Sequence, residues 1–214
     1  MTNVSNYFKS IAINWQLSWQ QKGFRNKLFA ALFFTAILVV CSPYFFQYIE
    51  HRKGFIFNDP ILNLVPPYDV YLLIFFLLWS NAFLLLTIAF KKPSIFLTFL
   101  ISYILLSIVR GISIFLFPLE TPPGIINLTD PLTNYFYGAN FITKDLFFSG
   151  HASTLFLIFL CHDKKPIKYY TLFSCIGMSI LVLVQHIHYS IDVIFAFPFT
   201  YLCYKSAKLI ILRT

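Results

Sequence analysis

From Val70 to Phe90 the chain reads "VYLLIFFLLWSNAFLLLTIAF", 21 residues without a charge. A helix needs about 20 mostly apolar residues to cross a bilayer. Five further apolar runs accompany this one, at about 28–46, 93–119, 146–161, 169–185 and 189–204. The first holds Pro43, the second is interrupted by Arg110, the third is short, and the last carries Asp192 in its first turn and Pro198 inside. The pattern predicts an all-α polytopic membrane protein with six transmembrane helices in one domain over 28–210. Composition agrees: 58% of the residues are hydrophobic and 11% charged, where a soluble domain carries about 25% charged residues. A water-soluble core cannot hide that much apolar surface.

Residues 1–27 form a polar lead, too long ahead of the first run to read as a cleavable signal. Within it Phe8, Ile11, Trp15 and Trp19 fall at helical spacing, with Lys9, Lys22, Arg25 and Lys27 around them. That suits a cytoplasmic amphipathic helix lying in the interface; a partly ordered tail is the plainer alternative. Cys41, Cys161, Cys175 and Cys203 lie in or beside apolar runs with no CxxC spacing. They read as small buried hydrophobes rather than as a disulfide or zinc set.

Six spans put both termini on one side. Twelve of the 16 Lys and Arg residues fall on that side, in the lead, at 91–92, at 164–168 and in the tail to Arg213. The other side holds Arg52, Lys53, Arg110 and Lys144. The positive-inside rule therefore places both termini in the cytoplasm. Acids do the reverse: only Asp163 is cytoplasmic, while Glu50, Asp59, Asp69, Glu120, Asp130, Asp145 and Asp192 lie outside. His51, His151, His186 and His188 lie there too. The formal charge of +8 is thus an orientation signal, and no nucleic-acid partner is needed to explain it.

The outer face gathers reactive groups. In "HIHYSIDV", His188 and Asp192 are four apart and share a face on a helix. A carboxylate beside an imidazole fixes its tautomer and prepares it as nucleophile or base; a structural ion pair is the alternative. In "SGHAST", Ser149 can cap a helix, Gly150 allows close backbone approach, and His151 stands in the first turn. Such a helix start binds phosphate, and a histidine there can protonate a leaving oxygen; an ordinary cap with an interfacial histidine is the alternative. Arg110 stands 17 residues beyond Pro93, about 26 Å along a helix, near the outer rim. It suits bidentate phosphate contact or snorkelling to headgroups. Asp69 and Glu120 could bind a cationic headgroup, orient a histidine or be solvated. His186 is out of phase and reads as a rim residue, and His51 and His162 read as solvated loop residues. One residue between His186 and His188 is poor metal spacing, so no metal is expected.

These segments resemble the type 2 phosphatidic acid phosphatase superfamily, and within it the sphingomyelin synthase-like branch. That branch carries D-x-x-F-S-G-H, matched by "DLFFSGH" from Asp145 to His151, and H-Y-T/S-x-D-V, matched by "HYSIDV". "PPYD", ending at Asp69, and "RGISIFLFPLETPPG", containing Arg110 and Glu120, fit its further segments. The K-x6-R-P and S-R-x5-H segments of the broader phosphatases are absent, which favours the synthase-like branch. The resemblance implies transfer of a phospho-headgroup from a phospholipid to a ceramide-like or other lipid alcohol. It assigns His188, oriented by Asp192, to attack phosphorus and His151 to protonate the departing diacylglycerol. Arg110, Ser149 and Gly150 would steady the transferred group, and Asp145 would polarise a histidine or touch the headgroup. No cofactor is implied; the partners are the bilayer and its lipids. The resemblance leaves a lipid phosphatase, using water as acceptor, as the alternative reading. A non-catalytic transporter or scaffold is the third. The expected location is a plasma or bacterial inner membrane with the site facing outward. On this topology, a cysteine placed near residue 145 is labelled from outside intact cells and one near residue 164 is not; labelling of the second site alone inverts the orientation.

Overall fold

The structure, a computed structural model, describes residues 2–126 and 142–212, with side chains from residue 7 onward. Asp130 and Arg213, counted above among the outer acids and cytoplasmic bases, lie outside the described residues. Seven α-helices occur among the described residues: α1 Thr2–Gln20, α2 Lys22–His51, α3 Tyr71–Lys91, α4 Pro93–Leu116, α5 Gly150–Leu160, α6 Lys165–Val184 and α7 Ser190–Leu212. Five of them, α2, α3, α4, α6 and α7, are long and apolar enough to cross a membrane. The all-helical chain fits a multi-pass integral membrane protein.

The sixth expected span differs. α5 has only 11 residues, about 16 Å of helix against a hydrocarbon core of ~30 Å. Leu146 and Phe148 belong to the same apolar run and are buried, but they precede the helix in an irregular segment. The helix starts at Gly150 because Ser149 caps it: its Oγ accepts from the Ala152 N–H at 3.4 Å, and its own N–H donates to the Asp192 carbonyl at 3.0 Å. α5 is apolar all round because it sits inside the bundle, with Ala152, Leu155 and Leu157 fully buried. It packs against α6 and α7, and more lightly against α3 and α4.

Several helices outrun the apolar patterns that announced them. α2 passes through Pro43, and the Ser42 hydroxyl donates to the Val39 carbonyl at 3.2 Å, the acceptor that the proline leaves without an amide. α7 continues past Lys205 and Lys208, whose ammonium groups turn back over the Tyr201 and Tyr204 rings. Long lysine stems can cover apolar surface while the charge stays at its edge, so a lysine that ends an apolar run does not end a helix. Two smaller expectations are corrected. Cys41 is exposed on α2, whereas the other three cysteines are buried. His162 is buried, not solvated, with Nδ1 2.6 Å from the Ile158 carbonyl.

Long-range hydrogen bonds define the two ends of the bundle. Lys27 Nζ donates to the Ile211 carbonyl at 2.7 Å, and Trp15 Nε1 to the Phe90 carbonyl at 2.7 Å. The start of α2, the end of α3 and the end of α7 therefore share one end, where the basic residues gather. At the other end charged groups knit the loops. Glu50 accepts from the Thr143 and Lys144 amides at 2.9 and 3.1 Å. Arg52 donates to the Ile114 and Phe115 carbonyls, satisfying the last turn of α4. Residues 54–55 lie along 118–120, with paired backbone bonds between Phe55 and Pro118 and between Glu120 and Phe55. Gly54 has no room for a side chain there: a Cβ would lie 2.5 Å from the Pro118 carbonyl oxygen. Gly54→Ala forces backbone apart and should cost about 1–3 kcal/mol, seen as a lower unfolding temperature in detergent.

Candidate active site

The site forms where α5 and α7 begin. Tyr189 precedes α7, and Asp192 stands in its first turn. The Asp192 Oδ2 accepts from the Tyr189 backbone N–H at 3.0 Å and lies 3.3 Å from His188 Nδ1. The first contact is the reach-back of an acid in a helix's first turn to the amide at its cap. His188 itself lies outside the helix, so the two residues do not meet as helical neighbours. They meet because the cap folds His188 back over the carboxylate. Both side chains are buried, Asp192 completely. With Nδ1–H directed at Asp192, the lone pair of His188 lies on Nε2.

His151 stands in the first turn of α5, its ring centroid 6.0 Å from that of His188 at an interplanar angle of 66°. The Ser149–Asp192 backbone bond locks the two helix starts together. Arg110 reaches this junction from α4. Its Nε donates to the Phe148 carbonyl at 2.8 Å, and its Nη2 pairs with Asp145 Oδ1 at 2.5 Å. The guanidinium lies over Gly150, where a Cβ would come within 2.8 Å of Arg110 Cζ. Arg110, Asp145, Gly150 and His151 together line a cavity of about 240 Å3, with Leu78 and Leu106 on its apolar side. A cation, an imidazole and the amide-rich start of a helix thus converge on one small space, the combination that holds an anionic phosphate.

Two predicted site residues are committed elsewhere. Glu120 accepts from the Gly54 amide at 2.8 Å and pairs with Lys144 at 2.9 Å. The Gly54 bond, followed by the Lys144 contacts, holds its carboxyl below the usual range. Asp69 is exposed and accepts from the Tyr71 amide at 3.2 Å, helping to start α3. His186 has a positive φ of 55° and is buried, with its two ring nitrogens each 2.8 Å from the Pro123 and Val65 carbonyls. It braces the loops beside the site.

Asp59 is the residue that reasoning from sequence left without a role. Its Oδ2 accepts from the Ser190 amide and its Oδ1 from the Ser190 hydroxyl at 2.9 Å, and it also accepts from the Ile61 and Leu62 amides. It therefore pins the first residue of α7, two positions from both His188 and Asp192. The "NDP" stretch signals a turn-forming aspartate, but nothing local points to a partner 131 positions away.

Residues 144–209 match the family described as PAP2 superfamily C-terminal. This supports the PAP2 superfamily and suggests a lipid enzyme of phosphatase or phosphotransferase type. The match covers "DLFFSGH" and "HYSIDV" and stops short of α4 and Arg110. No curated protein and no solved structure matches the chain.

Burial opposes the charge on Asp59, but the bonds from Ser190, Leu62 and Ile61 outweigh it and hold its carboxyl below the ordinary range. As pH falls, the unfolded chain is then protonated first. The stability Asp59 contributes is complete above about pH 3.9, its unfolded value, and is lost as pH drops through the lower folded value. Asp59→Asn turns one acceptor oxygen into a donor facing amides and should cost about 1–3 kcal/mol at neutral pH. Unfolding temperatures of wild type and variant in detergent should differ fully at pH 7 and converge below about pH 4.

Proposed function

We propose that the protein transfers a phospho-headgroup from a phospholipid to a lipid alcohol at a His–His–Asp site on the extracytoplasmic face of a plasma or bacterial inner membrane. The observation that carries this reading is the pairing of His188 with Asp192, with the His151 ring 6.0 Å away. His188 Nε2 attacks phosphorus, forming a P–N bond as the bond to the diacylglycerol oxygen breaks. His151, protonated, gives its proton to that oxygen. In the second half, neutral His151 takes the proton of the acceptor hydroxyl. The acceptor oxygen then attacks phosphorus, and the P–N bond breaks to return His188. Asp192 stabilises the charge that His188 acquires. Arg110 and the start of α5 stabilise negative charge on the transferred group.

Two features favour transfer over hydrolysis. Asp145 pairs with Arg110, in the segment that resembles the synthase-like branch, and the additional arginines of the phosphatase segments are absent. The second reading, a lipid phosphatase with water as acceptor, uses the same residues, and the family match accommodates both readings.

The test supplies purified protein with labelled phosphatidylcholine, phosphatidylethanolamine, phosphatidylinositol or phosphatidic acid, with and without ceramide. A new headgroup-bearing lipid that appears only with the acceptor supports transfer. Inorganic phosphate released from phosphatidic acid, with diacylglycerol as the other product and no new headgroup-bearing lipid, overturns it. His151→Ala and His188→Ala should each lower the rate at least a hundredfold; lipid products unchanged in both would sink the catalytic assignment.

A further inference from the structure

A second and larger cavity adjoins the catalytic one. It lies between α2 and α4 and encloses about 710 Å3, within the range of about 300–1,000 Å3 usual for ligand pockets. The two cavities share Tyr103, Ser107, Arg110 and Asp145, so the Arg110–Asp145 pair stands at their junction. Their linings differ. The small cavity ends at His151 and Gly150. The large one is walled by apolar side chains such as Leu38, Phe45 and Ile108, and its outer wall is exposed, with Val39 at 58% and Ile112 at 55%. In a bundle set in lipid, that exposed side faces acyl chains.

We propose that the groove between α2 and α4 holds an acyl chain of the phospholipid donor, which slides in sideways from the bilayer until its phosphate meets Arg110 and His151. This rests on the transfer reading above. Three observations point to this occupant. The groove is mostly apolar, with only small hydroxyls such as Thr35 and Ser42 along it, and is charged only at its inner end, where Arg110 pairs with Asp145. That end is continuous with the space into which His151 projects. α4 carries a glycine, Gly111, on the groove wall beside Arg110, and the nearest atom to a Cβ built there is Phe45 Cζ across the groove at 4.0 Å. The glycine keeps this wall free of a side chain that would press on Phe45 and narrow the groove. Both helices that wall the groove lie ahead of the matched residues 144–209, and Asp145 joins them from within that segment.

The experiment reads chain-length preference in the full-length protein in detergent. The donors are phosphatidylcholine, phosphatidylethanolamine, phosphatidylinositol and phosphatidic acid, each with dihexanoyl or dioleoyl chains. Gly111→Leu fills the groove from α4, where the position is helical and a Cβ would meet only the Phe45 ring, at 4.0 Å. Ser42→Trp fills it from the α2 wall and serves as the second variant where the first fails to fold. In either variant the ratio of kcat/KM for dioleoyl over dihexanoyl donor should fall about tenfold or more. A ratio equal to wild type in both folded variants overturns the groove and leaves the proposed reaction standing. A wild-type protein inactive on every donor of both lengths overturns the reaction, and the groove with it.

Discussion

The carboxylate of Asp192 is the interaction on which the site-bearing end of the bundle depends. A buried acid in an apolar bundle is costly unless its charge is met. Here the start of α7 meets it through the Tyr189 amide, and His188 lies against the same oxygen. The other oxygen, Oδ1, has no hydrogen-bond partner among the described residues. The backbone carbonyl of the same residue receives the Ser149 amide and so sets where α5 begins. One residue thus fixes the tautomer of one histidine and, through the shared helix start, the position of the other. Asp59 supports the arrangement from behind by holding Ser190.

The long spans were legible because crossing a bilayer requires a length of apolar sequence that few other structures need. α5 was not, because an element enclosed by other helices is as apolar as one facing lipid. Length alone separated them, and the buried residues before Gly150 disguised the length. The His188–Asp192 pair was found from a spacing of four, although the reason proved to be a cap rather than a helical face. His151 and Arg110 were found because their residue types are rare at those places in an apolar chain. The roles of Asp59 and Glu120 were hidden because their partners stand 131 and 66 positions away, and no local pattern encodes such pairings.

Charge at the site-bearing end of the bundle therefore has two uses that composition cannot separate. Glu50, Arg52, Lys144 and Glu120 close the loops after α2 and α4 onto the segment leading to α5. Arg110, Asp145 and Asp192 sit deeper, among helix starts. The first group answers backbone groups left unpaired at helix ends and loop crossings. In the second group Arg110 and Asp145 line a shared cavity, while Asp192 holds His188 beside it. What distinguishes them is the geometry of their partners: Glu120 has its carboxylate occupied by an amide and an ammonium, whereas Arg110 and Asp145, though paired with each other, still line the cavity.

The shortness of α5 also has a consequence for depth. If α4 starts at the basic face of the membrane, Arg110 stands about 26 Å along it, a few ångströms short of a hydrocarbon core of ~30 Å. α5 begins at Gly150, against which the guanidinium lies, and runs 11 residues back toward that face. A full-length helix there would carry His151 out among the headgroups and into water. An 11-residue helix reaches only about 16 Å, so its amide-rich start and the histidine on it stay inside the bundle, below the level of the headgroups. Water must come inward to compete, which is why the height of this one helix start weighs on the choice between transfer and hydrolysis.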